Sequence, residues 1–373
     1  MKPNDNVLVA YSGSQASTAL LHMLYSGLSE KHHKKFLFKV IVFFIDEGAL
    51  FENLNPDIRI KTIDEIKQIV DGYDFPFFVA SLSQVLNCDN NIKLSSSLDI
   101  KNEDDEKLLK FFNNVNNITS KEDLLYLLKK KLILKAANQL KCNKILTSEV
   151  GNDLAVKLFT SFSLGRGDQS SFETGFCDSR VSDCKILRPL RDFLMKEIVF
   201  YNKFNNLNNF VNRPSFTTGL QSSASIQKLT EKFINNLQND FSSTVYTIFR
   251  TGEKLDINLI ENKKKFICYL CDSEIRNNCG SDCSALLSLE FSRNIVNENL
   301  GNCKSNNCCG SCSDKNENNK NGDFKNLFCY GCSAILNDVN NFESIPKEFI
   351  QRAIEQKNKD SMKEQIMEYL IDS

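Results

Sequence analysis

VLVAYSGSQAST, residues 7–18, decides the fold. Its first five residues are a short apolar run of the kind that forms a strand buried on both faces. Ser12, Gly13, Ser14, Gln15, Ala16 and Ser17 follow, and Ala19, Leu20, Met23, Leu24 and Leu28 then recur at helical spacing over residues 15–28. A small-residue loop between a buried strand and a helix presents backbone N–H groups at the positive end of the helix dipole. That geometry holds a phosphate or pyrophosphate. It serves equally well as a tight turn with a serine N-cap.

The alternation continues outward. Residues 40–45 (VIVFFI) read as a second buried strand ending at Asp46-Glu47-Gly48, and residues 60–70 as a helix through Ile60, Ile63, Ile66 and Val70. Residues 75–82 include a third strand, 124–140 form a strong helix, and 144–147 return to a strand. Strands alternating with helices predict an α/β fold with a doubly wound parallel sheet. Ligands on such sheets bind at the carboxyl ends of strands, which singles out Ser12-Gly13 and Asp46-Glu47. Asp46 is placed to face a nucleotide ribose or magnesium, or to act as a turn residue. Beyond about residue 190 the pattern is helical, over 192–207 and 225–237, and a last helix is expected over 346–371 with Pro346 near its start. Two Asn-rich stretches, 87–119 and 301–326, read as surface loops or partly disordered inserts. The predicted organisation is an α/β domain over 1–165, a helical continuation over 166–262, a cysteine module over 263–345 and the terminal helix over 346–373.

Composition bounds the function. Of 373 residues, 41% are hydrophobic and 25% charged, which excludes general disorder. The formal net charge of -1 excludes a uniformly basic nucleic-acid coat and leaves room for local patches. All three histidines (His22, His32, His33) lie near the start. Ser-His-Asp hydrolysis and Cys/His zinc fingers therefore find no histidine farther on. The apolar run over 36–45 is interrupted by Lys39 and is too short to span a bilayer, and MKPNDN resembles neither a signal nor a transit peptide. A cytoplasmic, membrane-free chain is expected, and its 14 cysteines then call for metal rather than disulfides.

The loop SGSQAS resembles the SGGxDS signature of PP-loop ATP pyrophosphatases, which adenylate a substrate carbonyl or uridine oxygen and release pyrophosphate. Ser14 stands where the second glycine would be, adding a side chain where backbone approaches the pyrophosphate. Ala16 replaces the acidic residue. Further blocks narrow the resemblance: FIDEGAL (44–50), LGRGDQSSFETGF (164–176), RPLRDFLMKEIVFYNKFNNL (188–207), SIQKLTEKFINNLQNDFSSTVYTIFRTGEKL (225–255) and CYGC (329–332). In this order, and through most of the chain outside the Asn-rich stretches, they resemble the cytoplasmic tRNA 2-thiolation protein 2 family. That family carries a cysteine-rich knuckle ahead of its first strand, and none precedes residue 7 here.

The resemblance implies an adenine nucleotide alpha hydrolase type of fold and a non-catalytic subunit. It also implies a heterodimer with a catalytic PP-loop sister subunit. The pair would 2-thiolate the wobble uridine (5-methoxycarbonylmethyl-2-thiouridine) of cytosolic tRNAs for Lys, Glu and Gln, with sulfur from a thiocarboxylated ubiquitin-like carrier. No catalytic residue is expected in this chain, and ATP binding by the degenerate loop stays open. Two other readings are an active ATP-dependent adenylating sulfurtransferase and a zinc-binding adaptor without a tRNA role.

Cys268-x-x-Cys271 and Cys329-x-x-Cys332 each offer two thiolates on a tight turn, and together they complete a four-thiolate site. Structural zinc is expected there in a zinc-ribbon-like module, with an iron–sulfur cluster as the rival. Cys279, Cys283, Cys303, Cys308, Cys309 and Cys312 fall in the variable region between the knuckles. Cys88, Cys142, Cys177 and Cys184 have no nearby His or CxxC partner to activate them, against a persulfide role. Arg166, Arg180, Arg188 and Arg191 cluster in the resembling blocks, where guanidinium forks suit a tRNA backbone or pyrophosphate. Internal salt bridges with Asp178, Asp183, Asp192 and Glu197 are the alternative. Lys129–Lys131 and Lys263–Lys265 read as solvated faces, the second bordering the knuckle.

Overall fold

The computed structural model describes residues 3, 5–29, 35–51, 55–86, 91–95, 103–180, 184–209, 215–254, 266–275, 328–340 and scattered positions from 345 to 362. The chain divides into two compact units, Met1–Leu259 with Ala334–Ile350, and Ile260–Ser333 with Gln351–Ser373.

The first unit is built on a six-stranded sheet in the order β3-β2-β1-β4-β6-β5. Its strands are β1 (Asn6–Tyr11), β2 (Lys39–Asp46), β3 (Phe77–Ser81), β4 (Lys144–Leu146), β5 (Cys177–Asp178) and β6 (Lys185–Leu187). Five run parallel, in registers such as Val9↔Val42 and Val9↔Leu146, and β5 alone pairs antiparallel to β6. The strand order reverses between β1 and β4, which makes that crevice the topological switch point. On one face Val7, Val9, Val42, Phe44 and Val79 pack with residues of α1 (Gln15–Leu28), α2 (Pro56–Asp71) and α7 (Met195–Phe204). Leu8, Phe43 and Ile145, which alternate with them, are also buried. Both faces are covered, so each strand reads as a continuous apolar run rather than an alternating one. Each such Leu, Phe or Val contributes roughly 1.5–3 kcal/mol of burial.

Three departures from the sequence reading stand out. First, the stretch over 87–119 is not simply a loop, because it contains helix α3 (Glu103–Asn113) with Leu108, Phe111 and Phe112 buried. Those three residues hold i, i+3, i+4 spacing behind a first turn of Glu103, Asp104, Asp105 and Glu106, whose charge favours the helix N-terminus. Helix α4 (Ile118–Gln139) also begins inside that stretch, capped by the Asn117 side chain on Thr119 N–H at 3.0 Å. Second, β5 and β6 complete the sheet with two and three residues, too short to register as periodic runs. Third, the sheet is mostly rather than wholly parallel. The stretch over 301–326 and most of the terminal helix expected over 346–371 lie outside the described residues.

Helices α5 (Gly151–Ser163) and α6 (Ser170–Thr174) follow β4, and α8 (Ile226–Asp240) and α9 (Thr244–Glu253) follow α7 in the chain. A second small core of Leu154, Ala155, Ile234, Val245 and Phe249 binds α5, α8 and α9 together. The second unit contains the antiparallel pair β7 (Phe266–Ile267) and β8 (Glu274–Ile275). Helix α10 (Tyr330–Asn337) begins in that unit, immediately after Cys329.

Candidate functional site

Gly13 has φ +75°, a left-handed conformation that glycine adopts without strain, and it turns the chain from β1 into α1. Ser14 is the N-cap, with its Oγ accepting from Ser17 N–H at 3.3 Å. The hydroxyls form a closed chain. Ser12 Oγ donates to Ser14 Oγ at 2.9 Å, Ser14 Oγ to Ser17 Oγ at 3.3 Å, and Ser17 Oγ to the Ser14 carbonyl at 2.9 Å. The backbone donor that a helix N-terminus would aim at an anion is therefore already occupied by the loop's own serine. Ala16 is buried and supplies no carboxylate, and the Gln15 carbonyl accepts from Asn202 Nδ2 at 2.9 Å.

Beside this loop, at the β1/β4 switch point, lies a cavity of about 400 Å³. Ser12, Ser14 and Ala16 line one side, Thr147, Ser148 and Glu149 line another, and Lys129, Lys130 and Arg188 bring positive charge. The charges are paired. Glu149 accepts from Arg188 Nε at 2.8 Å, Lys157 Nζ at 3.2 Å and Thr147 Oγ1 at 3.1 Å. Burial opposes ionisation of Glu149, but Lys157 and Arg188 outweigh it and hold its carboxyl at about 2. Lys157 also contacts the Tyr126 hydroxyl, and burial raises that phenol above its ordinary range. Lys129 pairs with Glu47 at 2.6 Å and Lys130 with Asp178 at 3.0 Å. Burial beside Arg180 lowers the Lys130 ammonium below the usual lysine range.

The four arginines singled out in the sequence are interior braces. Arg166, 4% exposed, donates to Asp123 at 2.6 Å. Arg180 forks onto both oxygens of Asp178, at 2.9 and 2.6 Å, and lies 3.5 Å from Glu173. Arg188, 2% exposed, adds the carbonyls of Phe172 (3.1 Å) and Gly175 (2.7 Å) to its Glu149 pair. Arg191 donates to the Thr174 carbonyl at 3.0 Å and stacks its guanidinium over Phe249 at 5.2 Å. A buried guanidinium needs a carboxylate within reach, and Arg166, Arg180 and Arg188 have one, as the salt-bridge alternative expects, whereas Arg191 meets a backbone carbonyl and a ring. Of the expected partners, Asp178 is present and Asp183 lies outside the described residues, while Asp123, Glu149 and Glu173 are partners that were not expected.

Asp46, expected at a ribose or magnesium, belongs to another knot. Its Oδ1 accepts from Gly48 N–H at 3.0 Å and its Oδ2 from Arg59 Nε at 3.0 Å. Arg59 reaches on to Asp105 of α3 at 3.0 Å, and Asp105 also accepts from Ser81 Oγ at 2.9 Å. The ends of β2 and β3 are thus tied to α3. Glu149, Lys157, Arg59 and Asp105 escaped the sequence reading. For Glu149 a signal existed, since it lies three residues past the carboxyl end of β4, the strand beside β1.

In the second unit, the Sγ atoms of Cys268, Cys271, Cys329 and Cys332 lie within 4.8 Å of one another. The first knuckle turns tightly between β7 and β8, with Cys268 N–H donating to the Ser273 carbonyl at 2.7 Å and Asp272 at φ +56°. The second begins α10, with Ser333 N–H donating to the Cys329 carbonyl at 2.9 Å. Burial opposes ionisation of Cys268, but hydrogen bonds from the other three thiols carry it well below a free thiol. Cys329 and Cys332 move upward, through hydrogen bonds with Cys268 and Cys271 and through burial. Four thiolates around one tetrahedral ion at 2.3 Å would lie about 3.8 Å apart. The observed cluster fits a metal ion of that kind. The other described cysteines (Cys142, Cys177, Cys184) stand outside it.

A mostly parallel sheet in 3-2-1-4 order, with a serine loop and cavity at its switch point, defines an α/β chain of the adenine nucleotide alpha hydrolase type. A solved structure of the same fold is the U34-tRNA thiolase NcsA from Methanococcus maripaludis with its 4Fe-4S cluster. It has a TM-score of 0.50 and 15% sequence identity over 72% of this chain and 76% of that one. The pattern of the family described as Cytoplasmic tRNA 2-thiolation protein 2 matches residues 225–334. The protein of that name from Xenopus tropicalis is 28% identical over 448 residues, covering 99% of this chain and 86% of the relative. Its Danio rerio counterpart is 29% identical over 438 residues, covering 99% and 85%. Over nearly its whole length the chain is similar to proteins of the cytoplasmic tRNA 2-thiolation protein 2 family.

Proposed function

We propose that this chain serves the 2-thiolation of cytoplasmic tRNA as a non-catalytic subunit, paired with a PP-loop sister subunit that performs the adenylation. The observation that carries this reading is the self-capped loop. Ser14 takes the Ser17 N–H that a pyrophosphate would need, and Ala16 leaves the loop without its acid. The similarity to that family supports the pathway, and the intact sheet supports a role that needs the fold without its chemistry. In this reading the wobble uridine of tRNAs for Lys, Glu and Gln is the target, and the sister receives sulfur from a ubiquitin-like carrier. The four cysteines hold one structural zinc. Sulfurs confined within 4.8 Å suit a single ion, whereas a four-iron cluster puts each ligand on a separate iron and spreads them farther.

The test is pyrophosphate release from ATP with unmodified tRNA, measured for this chain, for the sister and for the mixture. No release from this chain alone is expected, with release from the mixture exceeding that of the sister alone. Release by this chain alone would overturn the assignment in favour of an active enzyme. A mixture no better than the sister would remove the subunit role.

A further inference from the structure

Helix α7 buries Ile198 and Asn202 against the sheet and α1, and turns a different kind of surface outward. Lys196, Phe200, Lys203 and Phe204 stand at i, i+4, i+7 and i+8, which places them on one face. Phe200 is 59% exposed and Phe204 82%, the highest value among the exposed large hydrophobic residues described. Their rings lie 6.5 Å apart and 30° from parallel, so two aromatic faces are offered one helical turn from each other. Among the described residues, neither Lys196 nor Lys203 has an ion-pair partner, and both are exposed. Of the nearby acids, Asp192 is exposed, while Glu197 is held at the helix start by Leu194 N–H at 2.8 Å.

We infer that this face of α7 binds single-stranded RNA, the two phenylalanines stacking unpaired bases and the two lysines meeting the adjoining phosphates. The inference rests on the tRNA reading above and adds a surface to it. Protein interfaces take up aromatic residues but are depleted of lysine, and here two exposed lysines stand beside the rings. Aromatic rings interleaved with unpaired cations match the two chemistries of a nucleic-acid strand, a π-face and a phosphate. The buried arginines, by contrast, have no charge to spare for RNA.

The experiment uses the complex with the sister subunit and follows binding of a fluorescent, unmodified tRNA transcript and of a fully paired RNA duplex. The variants are Phe200→Ala with Phe204→Ala, Lys196→Ala with Lys203→Ala, and Phe200→Tyr with Phe204→Tyr as the conservative rescue. The alanine pair at the rings should weaken tRNA binding by about tenfold or more and leave duplex binding unchanged, and the tyrosine pair should restore it. The lysine variant should lower the slope of log affinity against log salt by about 1.4, at 0.7 per single-strand phosphate. Equal tRNA affinity in all variants, with a wild-type complex that binds, overturns this surface alone. Loss of co-purification with the sister overturns it in favour of a protein contact. A wild-type complex that binds no tRNA overturns the tRNA reading and the surface with it.

Discussion

Replacing Glu149 by Gln removes the anion that three donors share at the β1/β4 crevice. Its carboxyl is held at about 2 against 4.5 for a free glutamate, a difference worth about 3.4 kcal/mol at 1.36 per unit. The side chain keeps 24% of its surface, and solvent screening brings the expectation down to about 2–3 kcal/mol. The folded pKa lies below the unfolded one, so this stabilisation is fully present above pH 4.5 and is lost as pH falls toward 2. Urea unfolding of the wild type and Glu149→Gln from pH 2.5 to 7 reads it directly. The variant should be less stable at pH 7 by that amount, and the gap should narrow steadily below pH 4.5. Arg188→Met should cost about 3–5 kcal/mol at pH 7, since it strands a carboxylate and two backbone carbonyls. A loss under about 1 kcal/mol in both variants, with unchanged denaturant slope, would refute the bracing role and return Arg188 to the list of phosphate contacts.

Three other expectations accompany this one. Strong chelation should release one zinc per chain and abolish the β7–β8 knuckle signals in NMR spectra while leaving the sheet's cooperative unfolding in place, and iron with labile sulfide in the preparation would contradict it. Ser14→Ala should cost about 1 kcal/mol by removing the cap on Ser17, whereas Ser14→Gly should cost only a few tenths, as measured by thermal unfolding. Asp105→Asn should weaken the Arg59 knot by about 1–3 kcal/mol, and amide exchange confined to α3 should report it; uniform exchange across the sheet would contradict a local tie.

What could be read in the sequence follows the strength of each local signal. Strands β1 and β2 and helices α1 and α4 are dense apolar runs or stripes, and they stand out because burial on both faces leaves no polar interruption. Strands β5 and β6 consist of two and three residues, which are defined by their neighbour in the sheet and not by any periodicity. Helix α3 was hidden because its three core residues sit among acidic and asparagine side chains that carry a loop-like composition. The cysteine quartet was legible for a different reason, since the two CxxC pairs have the spacing that metal coordination demands and the fold brings their four thiols together. The arginines mark the limit. A guanidinium suits phosphate and carboxylate equally, and only the packing of α4, α5 and α6 around it decides which it meets.

The two knuckles bring together Cys271 and Cys329, which stand 58 positions apart along the chain. A cross-link of this span acts on the entropy of the unfolded polymer, and that entropy grows only with the logarithm of the enclosed length. Doubling the enclosed chain costs about 0.6 kcal/mol more to close. An ion held by the four thiols would therefore isolate the geometry of its site from the amount of chain between its ligands. That segment can lengthen or shorten across generations of the gene at almost no thermodynamic penalty to the knuckles that bracket it.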